Sequence, residues 1–175
     1  MQAALADSGV SLDGAVWAEA RQHFYRRIDG IVSPRLGLQE TLGALRARGY
    51  RLGLISNTYW AADLHDRHLA EHGLLEFFPV RVYSCDAPYQ KPHPGIFKLA
   101  LDALGVEAGQ AAYVGDRPEV DVAGAQGVGM LAILIRSPYR LEGGGPQAGG
   151  GLPHAVTDQL PGLPPALDAL GAARP

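Results

Sequence analysis

Ser56, Lys91, Asp116 and Asp121 are the residues of this chain whose types and order could do chemistry. Ser56 closes a hydrophobic run and is followed by Asn57 and Thr58. Lys91 opens a Lys-Pro-His-Pro segment. Asp116 follows Gly115 at the end of a second hydrophobic run, with Asp121 five residues on. A phosphoryl group spreads negative charge over several oxygens, so it calls for hydrogen-bond donors and a cation around it. Ser56 and the amides beside it, at Asn57 and Thr58, can donate, and Lys91 can neutralise. Asp116 and Asp121 offer hard oxygens of the kind that magnesium takes together with several waters. Two carboxylates about 4 Å apart repel by roughly 4 kcal/mol at an effective dielectric of about 20, so the pair itself asks for a counter-charge, metal or lysine. Taken singly, Ser56 reads as a turn residue, Lys91 as a solvated lysine and Asp116 as a helix cap. Their joint order points to magnesium-dependent phosphoryl transfer.

Such a site needs elements that end where these residues stand. Trp17, Ala20, Phe24 and Ile28 recur at three or four residues and predict a helix over 16–28. Leu38, Leu42 and Leu45 line a second helix, with Gly49 at its C-terminal cap. A strand over 50–55 follows, then a helix over 60–72 and a strand over 80–83. Pro94 suits the first turn of a helix ending before Gly105. Residues 111–114 and 131–135 read as strands with a small-residue helix over 120–127 between them, and a last short strand falls at 155–157. Strands alternating with helices specify an α/β fold, a Rossmann-like parallel sheet flanked by helices. Ligands of such sheets gather at the carboxyl ends of the strands, where Ser56, Asp116 and the loop leading to Lys91 all lie.

Composition excludes other classes. The chain has 175 residues, 47% hydrophobic and 19% charged, which suffices for one real core. A net charge of -3 leaves no electrostatic footprint for nucleic acid or an anionic membrane. Cys85 is the sole cysteine, so no intrachain disulfide forms and a reducing compartment, the cytoplasm, is expected. The first fourteen residues lack a basic start followed by an apolar core, so no signal peptide is expected. No apolar run approaches the roughly 20 residues that span a bilayer.

The motifs resemble those of the haloacid dehalogenase-like hydrolase superfamily, specifically its magnesium-dependent phosphatase branch. GYRLGLISNTY resembles the second motif, with Ser56 as phosphate ligand beside Asn57 and Thr58. YQKPHPGIFKLAL resembles the third, with Lys91 holding phosphate and nucleophile. YVGDRPEVDVAGAQGVGM resembles the fourth, with Asp116 on the metal and Asp121 supporting the metal shell or Lys91. The likeness runs over roughly residues 38–140. It implies hydrolysis of a small phosphorylated metabolite through an aspartyl-phosphate, with Mg2+ held by Asp116 and Asp121. Lys91 and Asp116 are then catalytic, and Ser56, Asn57, Thr58 and Lys91 bind the phosphate.

The departure is at the front. The family's first motif is a buried strand ending in Asp-x-Asp-Gly, whose first aspartate is the nucleophile. Here the near match is Ser11-Leu12-Asp13-Gly14, with Ser11 in the nucleophile's place. Residues 3–27 read instead as part of an α-helical cap, which divides the chain into a partial cap segment, 1–34, and a core, 35–175. In the family the absent strand lies between those ending at Ser56 and Asp116. Five apolar residues there amount to about 8–15 kcal/mol of burial, comparable to a domain's whole net stability. The chain is therefore expected to be a weak or inactive phosphatase. It must close its sheet differently, borrow a strand from a homo-oligomer or another strand-donating partner, or be marginal alone. The alternative is a non-catalytic metal- and phosphate-binding remnant or assembly subunit.

Rival readings weigh less. His65, His68 and His72 share one helix face and could suggest zinc, yet read as a solvated polar face. His93 is expected to shape the turn between Pro92 and Pro94, and Cys85 to pack rather than react. A signalling receiver domain would put its acidic pair first and its lysine last, the reverse of this order. The glycine-rich stretch 143–151 reads as a flexible loop, since no P-loop lysine or helix follows it.

Overall fold

Every strand pairs parallel to its neighbour, as alternation with helices predicts, but the strands form two sheets rather than one. The computed structural model describes residues 13–28, 33–137 and 151–171. In chain order these form α1 (Gly14–Ile28), α2 (Leu38–Ala47), β1 (Gly53–Ser56), α3 (Ala62–Glu71), β2 (Val80–Tyr83) and α4 (Pro94–Leu104). There follow β3 (Ala112–Gly115), a π-helical turn (Pro118–Val122), α5 (Ala123–Gln126), β4 (Leu131–Ile135), β5 (Ala155–Thr157) and α6 (Leu163–Ala169). One sheet is β1-β2, in register from Gly53↔Val80 to Ser56↔Tyr83. The other is β3-β4-β5, with Ala112 opposite Leu131 and Ile133 opposite Ala155.

Helix α4 covers one face of both sheets. Its Ile96 and Phe97 are fully buried, and Leu101 joins them against Val122, Ala125 and Ala132. Ile55 and Val82 of the first sheet and Tyr113 and Leu134 of the second pack on the same cluster. The opposite face is closed by Leu45 of α2 and by Leu163 and Leu167 of α6, packed on Ile133, Ala112 and Val114. Along β3 the side chains thus alternate faces, Tyr113 toward α4 and its two neighbours toward α2 and α6, as a strand's period of two requires. Pro94 opens α4, the ring of His93 caps it by accepting from the Gly95 amide, and Gly105 ends it in the left-handed region at φ 64°.

Between β1 and β3 lies a cavity of about 420 Å³, lined by apolar side chains of both strands and of the helices above and below. Among the described residues, no strand pairs with both β1 and β3.

Boundaries differ from expectation where pairing or packing overrides propensity. The strand expected over 50–55 is extended from Gly53 only, because β2 reaches no further, while Tyr50 and Leu52 pack on the α2/α6 cluster instead. The helix expected over 120–127 opens with the π-helical turn, since Asp121 draws the backbone around its carboxylate. Helix α6 was not foreseen, its two prolines standing in its first turn where they are tolerated. Stretch 143–151 lies outside the described residues apart from Gly151, as do Ser11 and much of the expected cap segment. Among the described residues, no helix is long and apolar enough to cross a membrane.

Candidate phosphate and metal site

The carboxyl ends of β1 and β3 meet around Lys91. Its main chain is clamped from the β1 side: the Asn57 amide donates to the Lys91 carbonyl at 2.9 Å, and the Lys91 N–H donates to the Asn57 side-chain carbonyl at 2.8 Å. Its side chain is held from the β3 side. The ammonium donates to Asp121 Oδ1 at 2.8 Å and to the Tyr113 hydroxyl at 2.7 Å. The side chains of Lys91 and Asp121 are 11% and 3% exposed, so the pair is almost dry. A desolvated charge survives only if paired and hydrogen-bonded, and both conditions are met.

Asp121 has a second duty. Its Oδ2 accepts from the amides of Asp116 at 3.1 Å and Arg117 at 3.0 Å. The carboxylate therefore shapes the loop that carries Asp116. Gly115 makes this possible, because a Cβ there would collide with the Asp121 side chain. Gly124 serves likewise for the lysine loop: a Cβ on it would strike the Phe97 ring and come within 3.1 Å of Pro92.

Ser56 stands at the end of β1 with its carbonyl accepting from Ser84 at 3.0 Å. Ser84 also donates its hydroxyl to the Thr58 carbonyl and accepts from the Thr58 amide at 2.8 Å. The Thr58 hydroxyl accepts from the Trp60 amide at 3.0 Å and lies 2.7 Å from His65 Nε2. The loop after β1 is thus braced from β2 and from α3.

His65 corrects the reading of α3 as a wet polar face. Its ring is stacked between Trp60 and Tyr83, at centroid distances of 6.3 and 5.1 Å. Burial, then the neighbouring His68, pulls its pKa below the ordinary value, against the pull of Asp66. A neutral ring can accept the Thr58 hydroxyl at Nε2. Beside it, Asp66 accepts from Arg81 Nε and from the Tyr83 hydroxyl, both at 2.8 Å. Burial raises the Asp66 carboxyl, but these hydrogen bonds outweigh it and hold the group below the ordinary range. Tyr83 is pushed well above its usual value by burial and by Asp66.

Sequence reasoning missed Tyr113. Burial, then the Asp121 charge, raises its phenol far above the ordinary value, so it stays a neutral partner to Lys91. The available signal was a tyrosine within an apolar strand, whose hydroxyl must find a partner when buried. Cys85 does not pack as expected: it is exposed, and slight desolvation, then the neighbouring Asp86, raises the thiol, which makes it a poor nucleophile. His93 caps α4, and its ring lies flat against Tyr89 at 4.4 Å. Asp13 is no strand residue. It is the N-cap of α1, where its carboxylate accepts from the Ala15 amide at 2.7 Å. Among the described residues, no three His, Cys, Asp or Glu side chains form a group that could hold a metal ion.

A family model described as haloacid dehalogenase-like hydrolase matches residues 3–129. Phosphoserine phosphatase of Thermus thermophilus is 37% identical over 101 residues, 58% of this chain and 40% of that protein. Human haloacid dehalogenase-like hydrolase domain-containing protein 3 is 35% identical over 144 residues, 79% of this chain and 53% of that one. The chain thus spans about half the length of the curated relatives it matches. Among solved structures, a HAD phosphatase from Thermococcus onnurineus superposes with a TM-score of 0.72 at 27% identity, over 98% of this chain and 70% of that chain. A 2-haloacid dehalogenase from Pseudomonas syringae gives 0.71 at 30% identity, over 96% and 68%.

Proposed function

Because the chain belongs to the haloacid dehalogenase-like hydrolase family, we propose that it is the phosphate- and magnesium-holding part of a phosphomonoesterase for a small phosphorylated metabolite. The observation that carries this reading is the convergence on Lys91, an ammonium fixed in backbone and side chain at the meeting point of Ser56 and Asp116. Fixed charges aimed at a phosphoryl group need no reorganisation when the reaction occurs. Relatives named as phosphatases of phosphoserine and of glyceraldehyde 3-phosphate support the phosphatase branch and the substrate class.

The roles divide as follows. Ser56 donates its hydroxyl to a phosphate oxygen, and Lys91 neutralises charge beside it. Asn57 has its side chain engaged with the Lys91 backbone, so it positions the lysine, and Thr58 holds the loop. Asp116 supplies the metal's carboxylate oxygen. Asp121, committed to Lys91 and two amides, orients both. This donor set fits magnesium, which is satisfied by one or two carboxylates with phosphate and water for the rest. Bound magnesium would neutralise charge developing on the phosphoryl oxygens.

The attacking carboxylate has no counterpart among the described residues, since Asp13 is engaged as a helix cap. The chain alone is therefore a weak hydrolase. The same observation favours a second reading, a non-catalytic phosphate- and metal-binding unit. We assign it to the cytoplasm, with no nucleic acid or membrane partner, from its charge and single cysteine.

The test uses orthophosphate with magnesium as ligand and an aryl phosphate as substrate. Orthophosphate is expected to raise the melting temperature only when magnesium is present, and Ser56→Ala to weaken that rise. Failure of both would overturn the phosphate site. Robust aryl phosphate hydrolysis by rigorously purified chain would overturn the claim that the nucleophile is lacking.

A further inference from the structure

Two exposed tyrosines border the phosphate site. Of the large hydrophobic residues that are exposed among those described, the aromatic ones are Tyr59 and Tyr89. Tyr59 stands two residues after Asn57 and Tyr89 two residues before Lys91, and Asn57 and Lys91 are joined by two hydrogen bonds. Two residues of chain span at most about 7 Å, so each ring is rooted within that distance of the junction. Exposed hydrophobic residues scattered singly are ordinary. Two aromatic ones on the two loops that meet at one site are not scattered.

Tyr89 is built as a platform. Its ring lies flat on the His93 imidazole, with 4.4 Å between centroids and 2° between the planes. That imidazole is itself fixed, because its Nδ1 accepts from the Gly95 amide at 3.0 Å. The phenol ring also fills the space beside Gly95, where a Cβ would collide with it. Held in this way, Tyr89 is still 39% exposed. A ring ordered before a ligand arrives loses little rotamer freedom on binding. Tyr59 is the opposite case. Its neighbour Trp60 stacks with His65, whereas Tyr59 is left 84% exposed, so it can turn toward a ligand without unpacking the core.

We infer that Tyr59 and Tyr89 select a phosphomonoester whose alcohol part carries a flat aromatic ring, stacked on Tyr89 and covered by Tyr59. This rests on the reading of Ser56 and Lys91 as the phosphate site, and deepens it by naming the class of the esterified alcohol. With the phosphate held there, the ester oxygen and the group it carries extend out past the carboxyl ends of the strands, where the two loops stand. A tyrosine face attracts a second aromatic ring by roughly threefold in affinity beyond the area covered. An aliphatic group gains from the area alone. Phosphoserine and glyceraldehyde 3-phosphate, which appear in the names of relatives, have no aromatic ring, so the inferred class differs from theirs.

The test is calorimetric titration of the intact chain, in magnesium, with orthophosphate, phenyl phosphate and cyclohexyl phosphate. At about pH 8 both esters are dianions, and only one of the two rings is flat and aromatic. Phenyl phosphate is expected to bind about tenfold tighter than cyclohexyl phosphate, from one ring contact to each tyrosine. Tyr59→Leu, at a position the core does not use, is expected to cut that ratio about threefold, and Tyr59→Leu with Tyr89→Leu to bring it to about one. Tyr59→Phe with Tyr89→Phe is expected to keep it. A ratio near one in the wild type, with orthophosphate still bound, would overturn the inference and leave the phosphate site standing. A ratio that survives undiminished in both leucine variants would overturn it as well, because the ring would then lie elsewhere. Failure of orthophosphate and both esters to bind would overturn the phosphate reading, and this inference with it.

Discussion

The ammonium of Lys91 lies 2.8 Å from Oδ1 of Asp121, in a setting that leaves the carboxylate side chain 3% exposed. Removing one partner of a buried pair strands the other charge, at a cost of about 3–5 kcal/mol, whereas replacing both with apolar groups is far milder. Lys91→Met and Asp121→Leu are each expected to be strongly destabilising in urea, and the double variant less so than the sum. The aspartate change carries an added loss from the two amides that it accepts. Additive costs would show that the pair is not coupled.

Magnesium should stabilise the native chain by mass action, by about 2.7 kcal/mol at a hundredfold excess over its dissociation constant. Asp116→Asn is expected to abolish the rise in melting temperature with magnesium. An unchanged rise in that variant would remove Asp116 from the metal site.

Acid should weaken the fold in two windows. The His65 pKa is lowered below its ordinary 6.5 in the native state, so the unfolded chain takes up this proton first. The stability from a neutral His65 is full above pH 6.5 and declines as pH falls from there through the lower folded value. The Asp66 carboxyl is also lowered, from 3.8, so its contribution is full above that value and is lost only as pH falls through the folded one. Urea midpoints across pH are expected to fall below neutrality in the wild type. In His65→Asn the first decline should shrink, and a decline of undiminished size would refute the assignment.

Gly115→Ala should disturb the site without touching a charged group. Its Cβ has no room beside Asp121, and overpacking costs about 1–3 kcal/mol. Proton chemical shifts of the Asp116 and Arg117 amides, now bonded to Asp121, are the sensitive readout. Unmoved shifts would mean that the loop yields elsewhere.

Much of this was legible because strand ends are local. Ser56, Lys91 and Asp116 each stand at a change of pattern, an apolar run stopping at a polar residue or a proline starting a helix, and that change needs no tertiary knowledge. Tyr113, Asn57 and His65 were harder. Their roles depend on partners 22, 34 and 7 residues away, none of which a period of two or 3.6 reports. His65 in particular shares its helix face with His68 and His72, so its pattern is that of a solvated surface. Only the proximity of Trp60 and Tyr83 removes it from water. The parting of the described strands into two sheets at β1 and β3 is a non-local property, which no period along the chain reports.

Lys91 also has a mechanical meaning. Its backbone is tied to Asn57, which follows β1, and its ammonium to Asp121 and Tyr113, which belong with β3. At the carboxyl end of these strands Lys91 fastens the two sheets across the gap between them, by its main chain on one side and its side chain on the other, beside the direct bond from the Tyr113 hydroxyl to the Ile55 carbonyl. Under tension pulling the sheets apart, the load would pass along the lysine's own covalent stem. That end would behave as a rivet.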